Sequence, residues 1–274
     1  MGRQMQAPDM MATLDPRAYL ERIHSSSAID LTASRPSLAL LRALHEAHLL
    51  TVPFENLSIH YGQPILLGDT ALYAKIVGQH RGGFCYELNG LFAWLLTRLG
   101  FTVSRLSARV AQPDGGFTPD FDHMALRIHH LEGADWLADV GFGDSFRQPL
   151  RIQHDLAQDG ADGLTYRLRF NADERAWLLQ QRGVTDWVPQ YRFTLQAHPV
   201  SDFAERCQFH QTAPESHFTQ KRICSLALPD GRITLSDLRL LITRDGKRDE
   251  RTLASEEEYR AVLAERFGVT LPSV

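Results

Sequence analysis

The sequence predicts an α+β protein in three segments, and three observations carry that prediction. Apolar residues recur at three- to four-residue spacing through the first hundred positions. From Phe101 the pattern changes to short β-branched and aromatic runs bounded by turn residues. Beyond His198-Pro199 both patterns return in alternation. The expected organisation is a helical domain over 1–100, an antiparallel sheet or small barrel over 101–199, and an α/β segment over 200–274.

Each element has a local reason. Asp15-Pro16 places a capping carboxylate before a proline at the first helical position, and Tyr19, Leu20 and Ile23 supply the stripe. Ser37 caps a second helix bearing Leu38, Leu41, Leu44 and His48. Asp69 is expected to cap a third, with Leu72, Ile76 and Val77. A fourth runs from about Phe84 to Leu99 and ends at Gly100. Strands are expected near 101–110, 123–131, 135–140, 165–170, 177–182 and 188–195, with a strong turn at Gln112-Pro-Asp-Gly-Gly116. A helix from Asp202 to about Gln211 precedes two hairpins, turning at Pro229-Asp-Gly231 and Asp245-Gly246. Ser255-Glu-Glu-Glu258 is a capping box that opens a last helix ending at Gly268.

Composition narrows the function classes. A formal charge of −4 offers no broad basic surface, so nucleic acid is not expected as a partner. No stretch approaches the roughly 20 apolar residues that cross a bilayer, so no membrane partner is expected. Residues 1–13 lack the charged start and apolar run of a signal peptide and read as a lead-in, with Met11 a second possible start. Cys85, Cys207 and Cys224 are odd in number and widely spaced, which suits free thiols in a reducing cytoplasm. No Cys-x-x-Cys or His-x-x-x-His pattern suggests a metal site. Oligomeric state does not follow from the sequence.

The chemistry gathers at Arg81-Gly-Gly-Phe-Cys85-Tyr-Glu-Leu-Asn-Gly90. Two glycines precede Cys85 and a helix begins with it, which aims backbone N–H groups and the positive end of the helix dipole at the sulfur. That placement is expected to lower the thiol pKa, and the glycines to let a chain or substrate approach closely. The plain alternative is a small buried hydrophobe starting an apolar helix. Two partners favour the nucleophile. His123 opens a strand whose Met124, Leu126 and Ile128 point to the other face. Asp139 ends the apolar strand Trp136-Leu-Ala-Asp139, before Gly141-Phe-Gly143. An acid in such a strand must be paired, and an imidazole suits it. Taken singly, His123 reads better as a solvated turn histidine and Asp139 as a structural cap; it is the three residues together that favour the nucleophile. The remaining histidines read as surface or satisfied structural residues, and Cys207 and Cys224 as inert.

With these residues set out, the segment 81–89 resembles the active-site motif of the arylamine N-acetyltransferases. Val52-Pro-Phe-Glu-Asn-Leu57 and Asp139-Val-Gly-Phe-Gly143 resemble that family's flanking signatures, and Ser216-His-Phe-Thr219 and Cys224-Ser-Leu226 are similar too. His123 lies 38 residues after Cys85, and Asp139 16 after His123, close to family spacing. The resemblance implies a papain-like triad of Cys85, His123 and Asp139, with a β-barrel second domain and an α/β lid. It implies acetyl-coenzyme A as co-substrate, with no tightly bound cofactor, and two-step transfer to a small aromatic amine, hydrazine or hydroxylamine in xenobiotic metabolism. Phe54, Val110, Phe142 and Phe218 would line the acceptor pocket, and Thr219 would face coenzyme A. Arg81, Glu55, Glu87 and Asn89 are expected to make structural ion pairs or hydrogen bonds. An amide synthase of a polyketide pathway and a cysteine hydrolase are the alternatives that use the same triad.

Overall fold

The computed structural model describes residues 14–25 and 35–271. The expected lead-in over 1–13 lies outside them. Asp15 caps α1 (Pro16–Arg22) through a hydrogen bond from Arg17 N–H, and Ser37 caps α2 (Leu38–Thr51) by accepting from Leu40 N–H. Strand β1 (Phe54–Glu55) and the short α3 (Leu57–His60) follow. The third helix departs from expectation. Gly68 holds its cap position and Asp69 is its first helical residue, where the carboxylate meets the positive helix end without capping it. This α4 (Asp69–Tyr73) then widens into a π-turn over Ala74–Gly78 that carries Ile76 and Val77.

Helix α5 (Cys85–Arg98) is the spine of the molecule, and every residue from Cys85 to Leu96 is buried. A helix apolar on all sides must be covered on all sides. On one side α1 and α2 pack on it through Tyr19, Leu41 and Leu44. On the other lie Leu126, Ile128 and Ala138 of the following sheet.

That sheet has eight antiparallel strands: β2 (Val103–Val110), β3 (His123–Leu131), β4 (Ala134–Ala138), β5 (Leu150–Arg151), β6 (Gln158–Asp159), β7 (Thr165–Asn171), β8 (Ala176–Arg182) and β9 (Trp187–Phe193). Their spatial order is β5-β4-β3-β2-β9-β8-β7-β6. The two edges nearly meet, because the Gln158 side chain bonds both N–H and C=O of Arg151. Sheet curvature encloses a second core of Leu106, Ala125, Leu137, Phe146, Tyr166, Leu179 and Tyr191. β3 therefore feeds two cores by strand alternation, Ala125 to one and Leu126 to the other.

The remaining elements are α6 (Ala204–Thr212), preceded by a 3₁₀ turn, α7 (His217–Gln220), strands β10 (Ile223–Leu228), β11 (Gly231–Ser236), β12 (Arg239–Arg244) and β13 (Lys247–Thr252), and α8 (Glu256–Phe267). The two expected hairpins join into one antiparallel meander. It gains a fifth strand from β1, with Phe54 opposite Ser225 and Glu55 opposite Cys224. Ser255 caps α8, and Gly268 closes it at φ 65°. Among the described residues no helix is long and apolar enough to cross a membrane.

Candidate active site

Gly82 and Gly83 set the entry to α5, and the chain that approaches them is the protein's own. A Cβ on Gly82 would lie 1.9 Å from the Pro53 carbonyl oxygen. Gly83 exchanges backbone hydrogen bonds with this segment, donating to Pro53 O at 3.3 Å and accepting from Glu55 N–H at 2.8 Å. The glycines thus serve close chain packing, and the buried ions around them hold it. Arg81 pairs with Glu55 at 2.8 Å, and Lys75 with Glu87 at 2.7 Å. Burial alone would raise the Glu55 carboxyl, but Lys75 and Arg81 outweigh it and hold it below its ordinary value. Glu87 also accepts from the Phe84 N–H at 3.2 Å, fixing the turn before Cys85. The expected structural ion pairs are present.

Cys85 is the first residue of α5 and is 4% exposed. Burial pushes its thiol well up, the Met124 N–H opposes the rise, and the charges of Asp122 and Asp139 add to it. The lowering expected from the helix N-terminus is thus outweighed for an isolated thiolate, because desolvation acts on the whole charge and the dipole on a fraction of it.

Asp139 follows the last residue of β4, and four donors converge on its buried carboxylate. Oδ1 accepts from Asn89 Nδ2 at 2.8 Å and from Gly141 N–H at 3.0 Å. Oδ2 meets His123 Nε2 at 2.7 Å and accepts from Tyr191 Oη at 3.0 Å. Burial works to raise this carboxyl, but His123 first, then Asn89 and Gly141, hold it below its ordinary value. Burial and the adjacent carboxylate keep Tyr191 protonated, so its hydroxyl donates. The His123 ring packs edge-on to Phe142, with centroids 5.1 Å apart. Gly141 presses directly on the helix start, and a Cβ there would lie 2.7 Å from Cys85 Cα.

A cavity of about 530 Å³ brings these residues together. Cys85 and His123 line it beside Phe54, Val110, Phe142 and Phe218, so every expected acceptor-pocket residue reaches it. Thr219 does not line it, and its hydroxyl is directed at the carbonyls of Ala213 and Ser216. Asp122 and His210 also line the cavity. Asp122 Oδ1 meets His210 Nε2 at 3.0 Å and accepts from Arg206 Nε at 2.6 Å. Burial would raise Asp122, yet His210 and Arg206 hold it down at about 2.

Sequence reasoning missed Tyr191, Asp122, His210 and the part played by His45. Tyr191 and Phe193 alternate inward along β9, a signal that marks burial but no partner. His45 interrupts the apolar stripe of α2, which signals a buried imidazole in need of two hydrogen bonds. Nothing in the pattern of α6 singles out His210. One group of potential metal ligands stands among the described residues, His129, His130 and Asp135. It lies at the far end of β3 from His123, and Arg127 already occupies its carboxylate.

A nearly closed barrel against helices, with a thiol at the start of the central helix and a carboxylate-bound imidazole on the same cavity, has the parts that nucleophilic acyl chemistry requires. A family model described as N-acetyltransferase matches residues 37–274. The arylamine N-acetyltransferase of Mycolicibacterium smegmatis is 35% identical, over 94% of this chain and 93% of its own. The arylamine N-acetyltransferase / N-hydroxyarylamine O-acetyltransferase of Salmonella typhimurium is 33% identical, over 94% and 89%. Among solved structures, the arylamine N-acetyltransferase from Salmonella typhimurium superposes with a TM-score of 0.87 at 32% identity, covering 96% of this chain and 94% of that one. That of Mycobacterium marinum in complex with CoA gives 0.83 at 33%, covering 93% of each. The chain belongs to the arylamine N-acetyltransferase family and is an acetyltransferase.

Proposed function

We propose that the protein moves an acetyl group from acetyl-coenzyme A to an arylamine, arylhydrazine or N-arylhydroxylamine, through an acetyl-Cys85 intermediate. The observation that carries this reading is the placement of a buried thiol, an Asp139-bound imidazole and three phenylalanines on one cavity. With Nε2 held by Asp139, His123 offers Nδ1 for proton exchange. Because burial disfavours a lone thiolate, Cys85 reacts as His123 takes its proton, and the Asp139 charge stabilises the resulting imidazolium. The sulfur attacks the thioester carbonyl and the C–S bond to coenzyme A breaks. His123 returns its proton to the leaving thiolate. In the second half the acceptor nitrogen attacks acetyl-Cys85, gives a proton to His123, and the Cys85 thiol is restored. The Cys85 N–H, at a helix start without an intrahelical partner, is suited to hold the oxyanion.

Phe54, Val110, Phe142 and Phe218 provide apolar and edge-on contacts for an aromatic acceptor. Thr219, at the end of α7, is offered as a coenzyme A contact. The division at 1–100, 101–199 and 200–274 belongs to the same proposal, supported by the change of element type at Phe101 and after Pro199. The cytoplasm is the proposed compartment, since free, buried cysteines suit a reducing medium.

Incubation with acetyl-coenzyme A followed by intact-mass measurement tests the core of this reading. Wild type should gain one acetyl group and Cys85→Ala none. Uptake by the alanine variant would remove Cys85 from the mechanism. Chasing the adduct with an arylamine against water separates transfer from hydrolysis, and offering a carrier-bound acyl thioester in place of acetyl-coenzyme A separates it from amide-synthase chemistry.

A further inference from the structure

Asp139 lies one residue past the last ladder pair of β4, Leu126 with Ala138, and its backbone N–H turns away from the sheet. The acceptor of that N–H is His45 Nε2, 3.0 Å away and 94 residues earlier in the chain. His45 is wholly buried on α2, stacked on Phe146 with centroids 5.8 Å apart and planes 10° apart, and flanked edge-on by Phe92. Its other nitrogen, Nδ1, lies 2.8 Å from the Arg147 carbonyl.

These two partners specify the imidazole's state. A carbonyl only accepts, so Nδ1 carries the proton. A backbone N–H only donates, so Nε2 presents its lone pair. The ring is neutral in one tautomer, and burial, which lowers its pKa to about 4, keeps it so. Arg147 is itself anchored, since its guanidinium donates to Pro229 O at 2.9 Å and to Gly231 O at 2.8 Å. A linkage therefore runs from the β10–β11 turn by hydrogen bonds to the Arg147 guanidinium, through the Arg147 residue to its carbonyl, and by hydrogen bonds through His45 to the Asp139 peptide.

On the far side of Asp139, the Val140 N–H is held by Asn89 Oδ1 at 2.9 Å. Two side chains from two helices thus pin the peptides that flank the carboxylate. Asn89 also touches the carboxylate, but His45 reaches it only through the backbone.

We propose that His45 is a positioning residue for Asp139. It sets the peptide from which the carboxylate is aimed at His123, and passes the anchorage of the β10–β11 turn to the active site. This inference rests on the acetyl-transfer reading of Cys85, His123 and Asp139.

Three substitutions separate positioning from packing. Gln reaches as far as Nε2 with an acceptor for the Asp139 N–H, Asn reaches only as far as Nδ1, and Leu offers neither. His45→Gln should keep most of the wild-type rate of Cys85 acetylation, measured by quenched intact mass. His45→Asn and His45→Leu should lose on the order of 10²-fold, as misplacement by about 1 Å does. Alkylation of Cys85 against pH supplies a second readout. A misaimed Asp139 stabilises the His123 imidazolium less, so the reactive limb should move to higher pH in the Asn and Leu variants and stay in place with Gln. If the Leu variant does not fold, the Gln and Asn pair decides. Equal rates and equal profiles for Gln and Asn, with only the melting temperature changed, would overturn the proposal. Wild type that takes up no acetyl group would sink the acetyl-transfer reading instead.

Discussion

Replacing Asp139 by asparagine changes no volume and removes one charge, and the surroundings dictate how the amide must sit. Its oxygen has two lone pairs, and its nitrogen can only donate. With the oxygen toward Asn89 Nδ2 and Gly141 N–H, 2.8 and 3.0 Å from the present Oδ1, both keep their acceptor. The opposite orientation would set the new NH₂ against two buried donors, each left unpaired at a cost of about 1–3 kcal/mol. The first orientation therefore wins, because its NH₂ faces His123 Nε2 and Tyr191 Oη, now 2.7 and 3.0 Å from Oδ2, and an imidazole or a hydroxyl, unlike Asn89 Nδ2 and Gly141 N–H, can turn from donor to acceptor. His123 must accept there and carry its proton on Nδ1, which takes away the base intended for Cys85. In serine triads this wrong tautomer lowers kcat by about 10⁴. A thiol gives up its proton more readily than a hydroxyl, so Asp139→Asn is expected to lower single-turnover acetylation on the order of 10³-fold or more. Rapid quenching with intact-mass detection measures that rate, and circular dichroism confirms the fold. A folded variant within about tenfold of wild type, less than about 1.4 kcal/mol of barrier, would refute the assignment of Asp139.

Two other changes test the surroundings. Gly141→Ala brings a methyl to 2.7 Å from Cys85 Cα, which is backbone, and 2.8 Å from Asn89 Nδ2, a side-chain tip held by its bonds to Met124 O and Asp139 Oδ1. It should cost about 1–3 kcal/mol in urea unfolding and lower acetyl uptake, and a neutral result would mean the 139–143 loop adapts freely. Asp122→Asn should destabilise by roughly 1–2 kcal/mol after allowance for solvent screening. Because the folded pKa of Asp122, about 2, lies below its unfolded value, that stability is full above about pH 4 and is lost as pH falls through 2. The gap between variant and wild-type urea midpoints should therefore close from pH 4 toward 2. A gap that stays constant over that range would show that the carboxylate charge contributes nothing.

Local sequence determined the parts whose causes are local. Ser37 and Ser255 open their helices and Gly268 closes one where capping chemistry requires, and the change of period at Phe101 marks where strands begin. Asp69 misled because the rule asks for a capping side chain, whereas here glycine supplies an extended cap and the carboxylate sits one position later. The trio of Cys85, His123 and Asp139 was legible because each stands at an element boundary beside glycine or turn residues. What tertiary structure decided is everything that depends on long-range approach. β1 leaves the helical region to complete the C-terminal sheet, Tyr191 arrives at Asp139 from β9, and His45 arrives from α2. Asp122 enters the cavity with partners more than 80 residues away. The direction of the Cys85 pKa turned for the same reason. A helix N-terminus is visible in sequence and favours the thiolate. The burial that outweighs it is created by strands and loops distant in the chain, and desolvation becomes readable only when they close over the sulfur.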